Sequence, residues 1–430
     1  MANRWSESWV VVAACLVAFL GAAAGCGPGA SNAGTGGSGG GAAGAGVGGA
    51  GNGTPMPRGG ASGAGGPSDA GTAGATGGSS GTGPGPADAA AAVTLVDPEG
   101  LALDRKGNLF VGSLVKFPFR NVLEITLASN VARVVASNPP AVLLTDTALL
   151  ADVPSLVYDG AAGLFVPTGS LVLQVDPGTA TATVFAGSPD QQTGHADGVG
   201  TAALFVNTYG AALDSHGNLY VTDQHDHTIR KIVLSTGDVS TFAGMSGQTG
   251  YVDDIGSAAR FVDPIYLAYD ANRDSLYVSD GNGTIRQILV ATGAVTTLAG
   301  YGMTGIVSDG IGRDARFGYT SGLANDDNDG MFVADAATIR HVSLSDGAVT
   351  TIAGHPRENA AIDGVGAAAY VGAASALAYD GAGHLYFVSC QTIRRLDLAS
   401  ATITTLYGFP DVLSQQQLGC VTHGQPLVTK

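Results

Sequence analysis

The chain is 430 residues long, 45% hydrophobic and 13% charged, with 67 glycines and a formal net charge of −16. That length suffices for two or three ordinary domains. The acidic balance argues against nucleic acid as a partner and against anionic lipid surfaces.

In chain order, residues 1–25 read as a secretory signal. Arg4 precedes the run WVVVAACLVAFLGAAAG, which is too short and too rich in Ala and Gly for a membrane span and ends in small residues. Ala23-Ala24-Gly25-Cys26 resembles a bacterial lipobox, with Ala23 where that motif usually has Leu. The resemblance implies that Cys26 becomes the lipidated first residue of the mature protein; an ordinary secretory signal cut nearby is the other reading. Gly27 follows, and not the Asp of inner-membrane retention, so the expected place is the outer membrane, on its surface or periplasmic face. Residues 26–90 are almost all Gly, Ala, Ser, Thr and Pro. Such a segment has nothing to bury and is expected to be a disordered tether, spanning roughly 40–50 Å r.m.s. by Gly-rich chain scaling.

From residue 91 to 408 the chain repeats. DGVGTAALF begins at Asp197, DDIGSAARF at Asp253, DGIGRDARF at Asp309 and DGVGAAAY at Asp363. One further Asp recurs as Asp104, Asp159, Asp214, Asp270, Asp326 and Asp380, in steps of 55, 55, 56, 56 and 54, so six units are counted. Each unit holds four short runs of the type GLALD, NLYVTD, TIRKIVL and VSTFAG, designated strands a to d, separated by Gly, Asn and Asp. Four strands repeated six times at this period predict an all-β, six-bladed β-propeller with four antiparallel strands per blade, preceded by the disordered linker. Residues 409–430 form a C-terminal tail. The DGxG phrase falls between strand d of one blade and strand a of the next. Its glycines suit a tight turn with positive φ, its Asp can cap backbone N–H groups, and its closing Phe or Tyr is expected between blades.

The pattern GLA-D-x-x-G-N-L-Y-V-x-D…I-R-K-I, followed by T-G-x-V-T-T-L-A-G, resembles the NHL repeat, closely in the third to fifth units and weakly in the first two. The resemblance implies a six-bladed ring. How the ring closes is left open: AAVTL at residues 91–95 could add a strand to the last blade, and so could part of the tail after Gly408.

Strands alternate in direction, so the d–a and b–c loops share one face, where a ligand is sought near the axis. Strand b ends there in Asp223, Asp280 and Asp335, with Ser113, Thr168 and Ser389 at the matching positions. Arg230, Arg286, Arg340 and Arg394 follow, and two readings stand: an ion pair across each b–c hairpin, or a ring of carboxylates and hydroxyls holding a cation or polyol. His225 and His227, beside Asp223 and Asp226, have the spacing of a Zn or other transition-metal site that His195 and His355 on the same face could complete; solvated loop histidines are the other reading. His216 and His384 belong to the opposite face. NDDNDG at 325–330 matches part of a Ca loop but lacks its closing Glu and coincides with an a–b turn. Cys390 and Cys420 are an even pair in an exported protein, so a disulfide stapling the tail to the last unit is expected, with two free thiols as the alternative.

No H-E-x-x-H, C-x-x-C or Walker loop occurs, and no G-x-S-x-G lies in residues 91–430. The expected function is a non-enzymatic, monomeric binding module for a protein or polysaccharide at the cell envelope, touching the membrane only through its lipid and needing no cofactor. The alternative is a metal-dependent lyase or lactone hydrolase with a divalent cation, Ca or Zn, on the axis, which the resemblance implies because some six-bladed relatives do such chemistry.

Overall fold

A computed structural model describes residues 96–408 and 421–422, less 105, 117–118, 129–130, 138–152, 162, 303–305 and 357–359. The signal, Cys26, the tether and AAVTL lie outside the described residues. The fold is a six-bladed, all-β propeller. Strands a to d are Val96–Leu103, Asn108–Lys116, Phe119–Thr126 and Val131–Ser137 in blade 1. In blade 2 they are Val157–Tyr158, Leu164–Thr168, Leu171–Asp176 and Thr181–Ala186. Blade 3 has Thr208–Leu213, Asn218–Asp223, Thr228–Val233 and Asp238–Gly244, and blade 4 has Pro264–Asp270, Ser275–Asp280, Thr284–Leu289 and Ala294–Gly300. Blade 5 has Thr320–Asn325, Gly330–Asp335, Thr338–Ser343 and Ala348–Gly354, and blade 6 has Ala374–Tyr379, His384–Ser389, Thr392–Asp397 and Thr402–Tyr407.

Strand b lies inside its sheet and has a neighbouring blade on each face, so side chains of both parities are buried along Asn218–Asp223, Ser275–Asp280 and Gly330–Asp335. This is why those segments read as near-continuous apolar runs. Strand d, farthest from the axis, returns to alternation: Asp238–Gly244 buries Val239 and exposes Ser240. Strands a pack against one another around the ring, and strand a of blade 1 meets strand a of blade 6. Among the described residues every blade is made of consecutive strands, and blade 1 packs directly on blade 6. The described part of the tail, Val421–Thr422, pairs in parallel with Ala360–Ala361, and the rest of the tail lies outside the described residues.

The DGxG phrase does more than turn. Gly198–Val199, Gly310–Ile311 and Gly364–Val365 pair antiparallel with strand d of the blade that follows, and Ile255 makes the same bridge to Ala294 in blade 4. Each phrase thus covers an outer edge that would otherwise offer unpaired N–H and C=O groups. The glycine at the fourth position of the phrase must stand at positive φ to do so: Gly200, Gly256, Gly312 and Gly366 have φ of 53° to 55°. Phe205, Phe261 and Phe317 at the end of the phrase are fully buried between blades, as expected, whereas Tyr370 is half-buried and packs on His355 at 4.7 Å.

The recurring Asp organises the a–b turn. Asp104, Asp159, Asp214, Asp326 and Asp380 each accept from the backbone N–H groups two and four residues on, for example His216 and Asn218 at 2.8 Å from Asp214. The carboxylate replaces backbone partners that a tight turn cannot supply. NDDNDG is this same turn. Asp326 additionally contacts His341 at 2.9 Å and Asp329 pairs with Arg273, so its carboxylates diverge and do not converge on one cation.

Candidate functional site

Asp223, Asp280 and Asp335 close the b–c hairpins opposite Thr228, Thr284 and Thr338, and all three are 0% exposed. They do not line an open pore. Asp223 accepts from the N–H groups of Val206 and Asn207 at 3.0 and 2.7 Å, Asp280 from Val262 at 2.7 Å, and Asp335 from Gly318 and Tyr319 at 2.8 and 3.0 Å. Those donors lie just before strand a, so each carboxylate fastens the returning chain. Arg286 and Arg340 meet Asp280 and Asp335 at 3.0 and 2.9 Å, and Arg230 lies 3.6 Å from Asp223. The hairpin ion pair is therefore the reading the geometry supports.

The sequence reading missed the second carboxylate. Arg230, Arg286, Arg340 and Arg394 also bind the first Asp of the preceding phrase: Asp197 at 2.7 Å, Asp253 at 2.6 Å, Asp309 at 2.8 Å and Asp363 at 2.9 Å. Each guanidinium, at most 1% exposed, also lies over a Phe ring at 5.0 to 5.6 Å. The signal was present, since Asp and Arg recur together at the same period, but the phrase had been assigned only a turn. Burial separates the two carboxylates. It pushes Asp223 up to about 6 and Asp280 to about 7, against backbone N–H groups and, for Asp280, against Arg286. Burial also acts on Asp253 and Asp309, but Thr297, Thr351 and the guanidinium hold both below the usual carboxylate range.

Thr168 and Ser389 occupy the same register and are equally buried, with the Ser389 hydroxyl donating to the Val371 carbonyl. Ser113 stands at that register opposite Asn121; its side chain lies outside the described residues. The histidines separate. His225 is exposed, while His227 is partly buried with its Nδ1 3.2 Å from the Asp263 N–H. Asp226 turns inward to Thr228 and Ser246 at 3.1 and 2.6 Å. Among the described residues no three His, Cys, Asp or Glu side chains gather as a metal-binding set. Cys390 is disulfide-bonded to a partner outside the described residues, and it packs against Ala361, where the strand following Cys420 is paired.

The open site on the axis is at the other face. A cavity of about 300 Å3 is lined by the last residues of all six strands a. Its rim is the residue just before each recurring Asp: Leu103, Tyr158, Leu213, Tyr269, Asn325 and Tyr379, all half-buried. Blades 2, 4 and 6 thus contribute Tyr, and blades 1, 3 and 5 contribute Leu, Leu and Asn. Three residues before each rim residue the order is Gly100, Ser155, Gly210, Tyr266, Gly322 and Ala376. A Cβ at Gly210 or Gly322 would overlap the carbonyl of the adjoining strand a. Tyr266 reaches from blade 4 to the Pro154 carbonyl before blade 2 at 2.9 Å, and its ring meets Tyr209 edge-on at 5.6 Å. Burial, then the neighbouring Tyr209, Tyr319 and Glu99, hold its hydroxyl protonated well above the ordinary tyrosine value. His216 and His384, set aside on the opposite face, are on the face with this cup, against Asp214 and Asp274 and against Asp380.

No family model matches the sequence. NHL repeat-containing protein 2 of Homo sapiens is 28% identical over 214 residues, 47% of this chain and 29% of that protein. Its Bos taurus counterpart is 32% identical over 178 residues, 38% of this chain and 24% of that protein. The matches and the six blades agree. The chain carries an NHL-repeat β-propeller. It spans only 29% and 24% of these relatives, so the likeness concerns the repeats. Among solved structures, a structural genomics protein of unknown function from Bacteroides thetaiotaomicron VPI-5482 aligns with a TM-score of 0.52 at 17% identity, covering 73% of this chain and 70% of that one. An auxiliary nutrient binding protein from Bacteroides ovatus ATCC 8483 gives 0.51 at 13% identity with the same coverage. Both share the fold of this chain.

Proposed function

We propose that the NHL propeller is a non-enzymatic binding module that holds a polysaccharide of the cell envelope in its axial cup. It would be carried on a lipid anchor at Cys26 and the tether of residues 26–90, at the outer membrane. One observation carries this reading: the carboxylates and guanidiniums nearest the predicted site are committed to inter-blade pairs, and what stays open on the axis is a cup of Tyr, Leu and Asn side chains. Such a surface offers contact area and hydrogen bonding to a ligand rather than a poised acid or base. A concave cup suits a chain of sugar rings better than the broad face of a folded protein. The same fold serves an auxiliary nutrient binding protein, so the architecture is compatible with capture.

The full chain would be tested for binding to purified envelope polysaccharides, with Tyr269→Ala and Tyr379→Ala as cup variants. Binding that falls about tenfold in the variants supports the cup. A stoichiometric metal retained through purification, together with turnover of a lactone or a cyclic peptide ester, would overturn the non-enzymatic reading. Capture of a protein in place of any polysaccharide would overturn the ligand class. Cys26→Ala should move the protein out of the membrane fraction, and retention there would sink the anchor.

A further inference from the structure

We infer that the cleft between blades 1 and 2 is a second saccharide subsite continuous with the axial cup through Tyr158, so that the ligand is a neutral oligosaccharide running from the axis outward. The inference rests on the reading of the cup as a saccharide site. The cleft is a cavity of about 590 Å3 between strands b and c of blade 1 and strands c and d of blade 2. That lies within the range of small-molecule sites, about 300–1,000 Å3. Tyr158 lines both this cavity and the cup. The two openings therefore meet at one aromatic side chain.

Between blades 3 and 4 and between blades 4 and 5 the equivalent position is closed by bonds between blades, whereas Tyr379 of blade 6 packs its ring on Phe332 at 5.3 Å. In blade 4 the Tyr269 hydroxyl is tied to Ser215 and Asp274 at 3.1 and 2.9 Å, and Arg273 reaches across to Asp329 of blade 5. Tyr158 differs. Its ring stacks on Phe110 at 5.3 Å and 26°, and its hydroxyl makes no hydrogen bond among the described residues. It is thus a braced platform with an available polar end. Beside it, Asn108 is fixed in orientation, donating to Asp104 at 2.8 Å and accepting from Thr126 at 3.1 Å.

The lining selects the ligand's chemistry. Among the described lining residues the acidic Asp104, Glu124 and Asp176 outnumber the basic Lys106, which disfavours uronates and phosphates. The walls are mostly polar, so an apolar ligand would strip water from them without replacing its hydrogen bonds. A neutral sugar ring sets C–H groups on Tyr158 and hydroxyls against Asn108 and Asp176, meeting both demands.

The full chain would be titrated calorimetrically with maltose, cellobiose and laminaribiose, with the hexaoses of the same three series, and with trigalacturonate as the acidic control. The expected result is binding of at least one neutral series, with the hexaose at least about tenfold tighter than the disaccharide. Tyr158→Ala should remove most of that gain. Thr183→Trp, at an exposed strand-d residue on the cleft wall, should bring the hexaose down to disaccharide affinity and leave the disaccharide unchanged. If Thr183→Trp and Gln174→Ala bind the hexaose as the parent does, the cleft is not a subsite, although the cup reading survives. Tighter binding of trigalacturonate than of the neutral sugars also overturns the proposal. If no neutral saccharide binds a chain with an unchanged melting transition, the cup and cleft readings fall together.

Discussion

In blade 4, Val278 faces Arg286 across the b–c hairpin; in blade 1 the same register sets Val111 opposite Leu123, and in blade 2 Val166 opposite Leu173. Blades 3 to 6 hold their neighbours with a buried guanidinium shared between carboxylates or carbonyls, and blades 1 and 2 hold theirs with leucine. Both leucines are fully buried, as the arginines are. The backbone tolerates either solution, because a buried ion pair and well-packed apolar groups of similar volume come out nearly even once desolvation is counted. The charged version adds specificity: an arginine on strand c chooses the phrase that precedes its own blade. The blades without it border the large cleft.

The sharpest way to break the comparison is Arg286→Ala. It leaves Asp280 buried and unpaired, and the expected loss is about 3–5 kcal/mol in urea unfolding. The pair Arg286→Leu with Asp280→Ser, which copies Leu123 and Ser113 of blade 1, should recover at least half of that loss. A double variant as unstable as the single one would show that the two kinds of blade are not interchangeable. Next in size is the disulfide at Cys390, whose reduction should cost about 2–4 kcal/mol and lower the melting temperature. A Cys420→Ser variant that melts as the parent does would rule out Cys420 as its partner. Tyr266→Phe, which cuts the bond from blade 4 to Pro154 before blade 2, should cost about 1–2 kcal/mol because the Pro154 carbonyl loses that donor.

The smallest effect is on pH. Asp223 and Asp280 bind protons more tightly in the folded state, so they favour folding at low pH, and that contribution is lost as pH rises from the ordinary carboxylate value near 3.8 through about 6 and 7. Asp253 and Asp309 are shifted the other way, and theirs is lost as pH falls through the range below 3.8. Stability should therefore peak in mildly acidic solution and decline towards neutrality. Asp280→Asn should flatten the neutral limb; an unchanged slope would show that Asp280 stays ionised beside Arg286.

Much of the fold was legible because it is written locally and then repeated. The Asp of each a–b turn, the positive-φ glycine of each phrase and the paired apolar runs act over a few residues, and six copies made their period visible. The candidate site was less so. Asp223, Asp280 and Asp335 recur at strand ends as site residues do, and only their neighbours show them buried. The cup and cleft rest on Tyr158, Tyr269 and Tyr379, which in the sequence look like ordinary strand residues.

The sequence by itself determined the number of blades, the order of strands and the place of each turn, since these follow from spacing along the chain and from backbone preferences of single residues. Tertiary structure alone decided that Arg286 takes Asp253 as well as Asp280, that Tyr266 spans the axis, and which face opens. Those outcomes depend on groups tens of residues apart meeting at a fixed distance when the ring closes, and no local pattern encodes that distance.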